Sequence, residues 1–370
     1  MELSKSQNRI FGLDLMRAVA ILLVLAGHCS WIFSESDAVF SPLLALSGFL
    51  GVEIFFVLSG FLIGRIIYRQ FTESDFDRNA VLYFLKRRWF RTLPNYFLIL
   101  MVNLIIAFFL NYKVDGLWQY FFFLQNFSAP MLPFFTESWS LSVEEFAYVI
   151  LPLSLLGAFA LSNAANRRTR FLWVVLLLIS IFLTTKIIYH ANTANSTIDQ
   201  WNLALKSVVI FRLDSIFIGV LAAWISVNFP GSWQRAAKIL TVAGMAMIAF
   251  YTFGVGFLGL FIDRYPFFWN VVYLPLASVS IAFFLPVLSG WKTAKGVLKT
   301  PITFIALISY SMYLLHYGVV LQTMKHFVAT ENLTSTWRLV FTLVYIIVTI
   351  FFSALLYRYF EKPMTDMRPS

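Results

Sequence analysis

Long apolar stretches recur along the whole chain and are separated by short polar connectors. A helix needs about 20 consecutive, mainly apolar residues to cross the hydrocarbon core of a bilayer. The stretches that meet or approach this length are 12–31, 44–67, 92–110, 138–160, 171–189, 203–227, 236–255, 268–289, 302–323 and 338–359. A further apolar and aromatic piece, 116–127, is too short to cross, so we predict a re-entrant or interfacial segment there. The pattern therefore predicts an all-α polytopic membrane protein with about ten transmembrane helices.

The composition leads to the same class of protein. Apolar residues make up 60% of the 370-residue chain and charged residues 12%, whereas a soluble domain carries about 25% charged residues. So few charges cannot cover a soluble globule of this size, and the single cysteine, Cys29, excludes a disulfide scaffold. Because the connectors are too short for an independent domain, we expect one transmembrane domain over residues 1–370.

The net charge of +10 is explained by where the basic residues lie relative to the predicted spans. Twenty of the 28 Lys and Arg residues flank the spans on the side of the N-terminus, and six lie on the other side. Cytoplasmic connectors carry such an excess of Lys and Arg, so both termini are predicted to be cytoplasmic. We expect a multi-pass protein of the inner (cytoplasmic) membrane, surrounded by lipid bilayer and without a nucleic-acid partner.

Ionisable side chains inside spans are informative because each costs about 2.5–3.5 kcal/mol to insert and usually faces a polar cavity. The first span holds Asp14, Arg17 and His28. Arg17 and His28 are predicted to lie roughly 16 Å apart along the helix axis and nearly on one face. Near the outer end of this span, His28 is either a general base beside a cavity or a structural histidine satisfied by a neighbouring helix. Glu53, in the second span, can pair with His28 or with Arg17.

Polar residues also lie at the ends of the third and fourth spans. Arg88 and Arg91 share a helical face and are either positive-inside anchors or bidentate ligands for phosphate. Glu144 is expected near the outer membrane boundary at the depth of His28, where a carboxylate can orient the imidazole or bind a sugar hydroxyl. Its neighbour Glu145 is predicted to form a capping box with Ser142 at the start of the fourth helix.

The sixth and ninth spans carry further polar residues. Arg212 and Asp214 are predicted near mid-membrane, where they can neutralise each other. Polar side chains of the ninth span include Tyr310 and His316. Together the intramembrane residues predict a polar cavity that is basic toward the cytoplasm and lined by histidine and carboxylates toward the outside. The spacing of the histidines indicates no metal site.

Seven motifs in this order resemble those of the acyltransferase family 3 membrane proteins, over about residues 10–363. They are Asp14 and Arg17 followed after ten residues by His28, Gly51-Val-Glu-Ile-Phe-Phe-Val-Leu-Ser-Gly60, Arg88-x-x-Arg91-x-x-Pro94, Trp139-Ser-Leu-Ser-Val-Glu-Glu145, Arg212-Leu-Asp214 with Gly219, Ser309-Tyr-Ser-Met-Tyr-Leu-Leu-His316 and Tyr359-Phe-Glu-Lys-Pro363. Glu53 stands where the family usually has Asp, which preserves the charge. Many relatives carry an added hydrolase-like domain, and this chain resembles the stand-alone form without it.

The resemblance implies transfer of an acyl group, usually acetyl, from cytoplasmic acyl-CoA to a hydroxyl group across the membrane. It also implies that Arg17 and His28 are essential and that Arg88 and Arg91 act on the CoA side. Together with the predicted polar cavity, the expected catalytic residues are His28, Arg17, Glu144, Glu53 and Asp14. The expected acyl-CoA-binding residues are Arg88, Arg91, Arg212 and Tyr310. Transfer is either direct, with His28 as base, or through an acyl-His28 intermediate, and no metal is expected.

The identity of the acceptor stays open at this level. A cell-surface or secreted glycan is favoured, and a small molecule such as a macrolide or a sugar-bearing metabolite is the alternative. A transporter of polysaccharide or small molecules, without acyl chemistry, is an alternative of another class. Transporters typically show inverted repeats or broken helices, and the sequence contains no detectable repeat.

Overall fold

The computed structural model describes residues 9–33, 41–73, 76–160, 166–193, 195 and 197–369. Within these ranges nine helices are long and apolar enough to cross a membrane, and a shorter apolar helix lies among them. They are Phe11–Cys29 (α1), Leu43–Glu73 (α2), Arg78–Phe109 (α3), Thr136–Phe159 (α4), Arg167–Asn192 (α5), Leu213–Asn228 (α6, the shorter helix), Ala237–Phe257 (α7), Phe268–Gly290 (α8), Lys299–Phe327 (α9) and Ser335–Asp366 (α10). The predicted all-α polytopic membrane protein is confirmed. We call the end of the bundle where α1 begins the proximal end, and the end where α1 stops the distal end.

The sixth predicted span, 203–227, is shorter than the sequence indicated. Its α-helix covers only Leu213–Asn228, and a π-helical turn at Asn202–Lys206 precedes it. Sixteen residues rise about 24 Å, less than the roughly 30 Å of a hydrocarbon core. The segment before α6 instead bonds to the predicted re-entrant piece, where the backbone N–H of Val209 donates to the carbonyl of Asn126 over 2.9 Å.

Only part of the piece predicted as re-entrant or interfacial, 116–127, is buried in the bundle, since Trp118 and Phe122 are 59% and 68% exposed. Its residues Gln125 and Asn126 are 2% and 0% exposed. The Gln125 side chain donates to the hydroxyls of Ser138 and Ser142, over 3.0 and 2.8 Å. Irregular backbone at membrane depth is tolerated where protein buries it and satisfies its polar groups. The buried amides and the exposed aromatic side chains do not distinguish the re-entrant interpretation from the interfacial one.

This segment determines how deep α4 begins. The hydroxyl of Thr92 on α3 donates to Glu145 on α4 over 2.7 Å, so these two antiparallel helices are level at that contact. From there α3 continues for about 25 Å to Phe109, whereas α4 reaches back only about 13 Å to Thr136. The first turns of α4 therefore lie about 12 Å short of the distal end of α3. The contact with Thr92 also replaces the capping box that we predicted for Glu145.

Helix α2 packs very closely against α1 and α6 through glycines. A Cβ atom built on Gly27 would lie 2.4 Å from the Cα of Gly48. A Cβ built on Gly60 would lie 1.9 Å from the carbonyl oxygen of Ile216 and 3.1 Å from the Cα of Gly219. Small residues let helix backbones approach closely in membranes, so the glycines of α2 hold the central helices of the bundle together.

Candidate active site

A partly open cavity lies between α1, α2, α3, α4 and α9, and it encloses about 840 Å³ including the solvent at its mouth. Its polar lining consists of Arg17, Ser59, Arg88, Arg91, Thr92, Ser140, Glu144, Tyr148, Ser309, Tyr310 and Tyr313. Five of the nine predicted site residues are in this lining, three of them arginines and one a glutamate. The cavity therefore has an excess of positive charge, and we call it the cationic chamber.

Arg17 belongs to a small charge network at the proximal end of α1. The carboxylate of Asp14 accepts two hydrogen bonds from the guanidinium of Arg9, over 2.9 and 2.8 Å. Arg17 lies 3.5 Å from the same carboxylate. Because Asp14 is shared between two arginines, it neutralises Arg17 only in part. The sequence placed Asp14 and Arg17 in the same span, but it gave no signal for Arg9 beyond a basic residue near the N-terminus.

Arg88 and Arg91 both line the cationic chamber from α3, as their spacing predicted. Both are half-buried, and neither forms an ion pair with a residue that the structure describes. The neighbouring Arg87 donates instead to the carbonyl of Pro369, over 3.0 Å, and Lys86 is exposed. The basic run thus divides into two residues outside the chamber and two guanidinium groups inside it.

Glu144 lies deeper in the bundle than its predicted position at the outer boundary. It lines the chamber together with Arg17, whereas His28 is not part of the lining. The physical reason is the deep start of α4 described above. The hydroxyl of Tyr148 donates to Glu144 over 2.9 Å and is itself 2.8 Å from the hydroxyl of Ser59. Sequence reasoning did not identify Tyr148, although its position one helical turn after Glu144 places it on the same face.

Glu53 and Arg212 form a buried ion pair with each other, outside the chamber lining. They are 0% and 1% exposed, and the hydroxyl of Ser278 also donates to Glu53. Asp214 pairs with Lys186 of α5 over 2.6 Å. The predicted pairs of Arg212 with Asp214, and of Glu53 with His28 or Arg17, are therefore wrong. Residues two apart on a helix do not face each other, so Arg212 and Asp214 each meet a partner on another helix.

His28 lies at the distal end of α1, beyond the chamber. Its Nδ1 atom is 2.9 Å from the carbonyl oxygen of Val24 and 3.3 Å from Nε2 of His316. The ring of His28 also lies 4.8 Å from the ring of Tyr317, centroid to centroid. The prediction left open whether a neighbouring helix satisfies this histidine, and α9 supplies the contact. His316 was noted in the sequence as an intramembrane histidine, without a role.

Tyr313 connects the two parts of the site. It lines the chamber, its hydroxyl is 2.6 Å from that of Ser140, and its ring lies 5.6 Å from the ring of His316. The site thus consists of a cationic chamber and a histidine cluster, separated by Tyr313 and Ser140. No group of three His, Cys, Asp or Glu side chains in the described part of the chain is arranged to hold a metal ion.

The fold and the site define a polytopic membrane protein with a polar, cation-lined chamber in its interior. The family model described as "Acyltransferase domain" matches residues 10–358, and the chain belongs to this family, acyltransferase family 3.

Curated relatives match across nearly the whole chain. The O-acetyltransferase OatA of Staphylococcus aureus (strain NCTC 8325 / PS 47) is 24% identical over 98% of this chain and 58% of its own length. The peptidoglycan O-acetyltransferase OatA of Listeria monocytogenes is 23% identical over 97% of this chain and 56% of its own length. The chain thus spans less than three fifths of the length of these relatives. No solved structure matches it.

Proposed function

We propose that the protein is a membrane O-acyltransferase that moves an acyl group, in the first place acetyl, from acyl-CoA to a hydroxyl of a cell-surface or secreted glycan. Membership of the acyltransferase family and the likeness to O-acetyltransferases support the reaction class. The observation that carries the proposal is the cationic chamber, because its arginines suit the phosphates of a CoA donor. The excess of Lys and Arg on the proximal side supports a cytoplasmic mouth and a place in the cytoplasmic membrane.

Binding of the donor is assigned to the proximal half of the chamber. Guanidinium groups hold phosphate through paired, charge-assisted hydrogen bonds, and Arg88 and Arg91 have no carboxylate partner among the described residues. Arg17 also lines the chamber and is only partly neutralised by Asp14, so it adds a third cation that can stabilise negative charge on the CoA. Tyr310 contributes to the wall, since its hydroxyl donates to the carbonyl of Thr92 over 2.8 Å.

The chemical step is assigned to His28. The acceptor oxygen attacks the thioester carbonyl carbon as Nε2 of His28 takes the hydroxyl proton. The carbon–sulfur bond then breaks, sulfur keeps the electron pair, and the proton passes from His28 to the CoA thiolate. Because Tyr313 and Ser140 lie between the chamber and the histidine cluster, the acyl group must pass these side chains to reach His28.

Glu144, Glu53 and Arg212 have supporting roles in this proposal. Glu144 adds the negative charge that balances part of the arginine charge in the chamber. The pair of Glu53 with Arg212 holds α2 against α6, with the Arg212 guanidinium over the ring of Phe56, 5.3 Å from its centroid. Phe56 lines the chamber, so this pair acts on the chamber wall and not on the donor.

The proposal is tested by acyl-CoA binding to purified protein in detergent. A hydrogen bond to a charged group contributes about 1.5–3 kcal/mol, so Arg88→Ala/Arg91→Ala should raise the Kd for acetyl-CoA by more than about 100-fold. The matched control is Arg78→Ala/Lys86→Ala, which removes two exposed charges from the same helix. Equal loss of binding in both double variants, or no binding by folded wild-type protein, would contradict the donor site and favour transport without acyl chemistry.

A further inference from the structure

Two imidazole rings from different helices meet edge to face at the distal end of the bundle. The ring centroids of His28 and His316 are 4.6 Å apart and the ring planes make an angle of 79°. His316 is completely buried, with 0% exposure, whereas His28 is half-buried. Nothing in the reaction assigned above uses His316, although burying an imidazole in a membrane bundle is costly unless its nitrogens are bonded.

The hydrogen-bond partners determine which nitrogen of each ring carries a proton. Nδ1 of His316 is 2.7 Å from the carbonyl oxygen of Tyr313, and a carbonyl only accepts, so this nitrogen is the donor. The same argument makes Nδ1 of His28 the donor to the carbonyl of Val24. Nε2 of His316 therefore accepts, and the Nδ1–H of His28 is shared between two acceptors. If Nε2 of His316 also carried a proton, that proton and the Nδ1 proton of His28 would point at each other and break the contact.

This arrangement leaves Nε2 of His28 as a lone-pair nitrogen. It makes no hydrogen bond to any residue in the described ranges. The two nitrogens lie at opposite edges of the ring, so Nε2 points away from His316. A general base needs this free lone pair, and a partner that accepts from the other nitrogen holds the ring in place and stabilises the imidazolium.

We propose that His316 is a positioning residue for His28, an inference that rests on the proposed acyl transfer. His316 acts from the buried side of the ring. It accepts the Nδ1–H of His28, holds the imidazole edge to face, and strengthens its bond when His28 takes a proton. The sequence had assigned this role to Glu144 or Glu53, but the structure places Glu144 beside Arg17 and Glu53 beside Arg212.

The surroundings of His316 hold it rigidly for this role. It begins a π-helical stretch, His316–Gln322, and such irregularities in helices occur frequently at functional sites. One turn earlier, the hydroxyl of Tyr313 donates to the backbone carbonyl of Glu137 over 3.1 Å. Two residues later, the backbone N–H of Gly318 donates to the carboxylate of Glu137 over 2.9 Å. Residues on both sides of His316 are thus bonded to Glu137, at the start of α4.

The hydrogen bond itself can be tested without any activity. The chain has four histidines, so nitrogen NMR of protein with isotopically labelled histidine gives few signals. We expect a scalar coupling between Nδ1 of His28 and Nε2 of His316 across the shared proton, and a non-protonated Nε2 on His28. His316→Leu should remove the coupling. A wild-type protein without this coupling, or with His28 protonated on Nε2, would overturn the proposal.

The effect on catalysis is tested with variants of similar volume. His316→Leu removes the acceptor and should lower kcat at least about tenfold, with an unchanged KM for acetyl-CoA because His316 does not line the chamber. His316→Gln offers an amide oxygen in place of Nε2 and should recover part of that loss. An unchanged kcat in His316→Leu, or equal losses in both variants, would overturn the positioning role. If wild-type protein transfers no acyl group, the proposed function fails, while NMR still decides whether the hydrogen bond exists.

Discussion

For the buried pair of Glu53 and Arg212, the structure predicts that a substitution lowers stability, whereas the sequence predicted that it lowers activity. The sequence placed both residues among the catalytic and donor-binding groups, whereas the structure buries them against each other outside the chamber. Removing one partner of a buried ion pair leaves an uncompensated charge and costs about 3–5 kcal/mol. Arg212→Met should therefore lower the free energy of unfolding by about that amount, a change of more than about 100-fold in the folded-to-unfolded ratio.

The double variant Glu53→Met/Arg212→Met should recover most of this loss. Replacing both partners of a buried pair by apolar side chains is often neutral or stabilising, and two nitrogens of Arg212, Nε and Nη1, have no hydrogen-bond partner in the described structure. Ser278, which donates to Glu53, also contacts the hydroxyl of Ser215 over 3.0 Å, so it stays bonded in the double variant.

The assay is the unfolding free energy of the purified protein in mixed micelles, measured for both single variants and the double variant as a double-mutant cycle. The control Arg264→Met removes an exposed arginine and should change stability by less than about 0.5 kcal/mol. The reasoning is refuted if the double variant loses as much stability as the two singles together. It is also refuted if Arg212→Met stays fully stable and loses acetyl-CoA binding, because Arg212 would then bind the donor directly.

Two further predictions concern the packing of α2 and of the segment 116–127. Gly60→Ala should destabilise the bundle by about 1–3 kcal/mol, since its Cβ would overlap the carbonyl of Ile216. Gly157→Ala meets no atom within 4 Å, and thermal unfolding should find it unchanged; equal melting shifts for both would contradict the close-packing account. Asn126→Ala should cost about 1–3 kcal/mol, because this buried amide donates to two backbone carbonyls. Asn192 is exposed, so Asn192→Ala should cost far less, and a similar cost at both positions would argue against the burial of Asn126.

The positions of the helices follow from the sequence because apolar length alone specifies a membrane span. The start of α4 and the short α6 could not be obtained this way. Both depend on hydrogen bonds made by Gln125 and Asn126 to distant segments, and hydrophobic length carries no information about such contacts. Glu144 was placed too near the surface for the same reason.

The membership of the chamber was partly predictable and the pairing of its charges was not. Arg17 could be recognised as an ionisable residue inside a span, and Arg88 and Arg91 as two arginines that share a helical face near a membrane boundary. Which carboxylate meets which cation depends on how the helices are rotated about their axes. Pattern and composition do not specify that rotation, so Glu53 was matched with the wrong partner and the contact of His28 with His316 was missed.

The most direct test of the central claim is a transfer reaction catalysed by purified protein in vesicles. Radiolabelled acetyl-CoA is supplied on one side and a mixture of soluble cell-surface glycans on the other, and both glycan-bound label and released CoA thiol are measured. The account predicts one ester formed per thiol released, at least about 100-fold slower in His28→Gln, while that variant still binds acetyl-CoA. Transfer by His28→Gln at the wild-type rate, or movement of unmodified glycan across the membrane without thiol release, would contradict it.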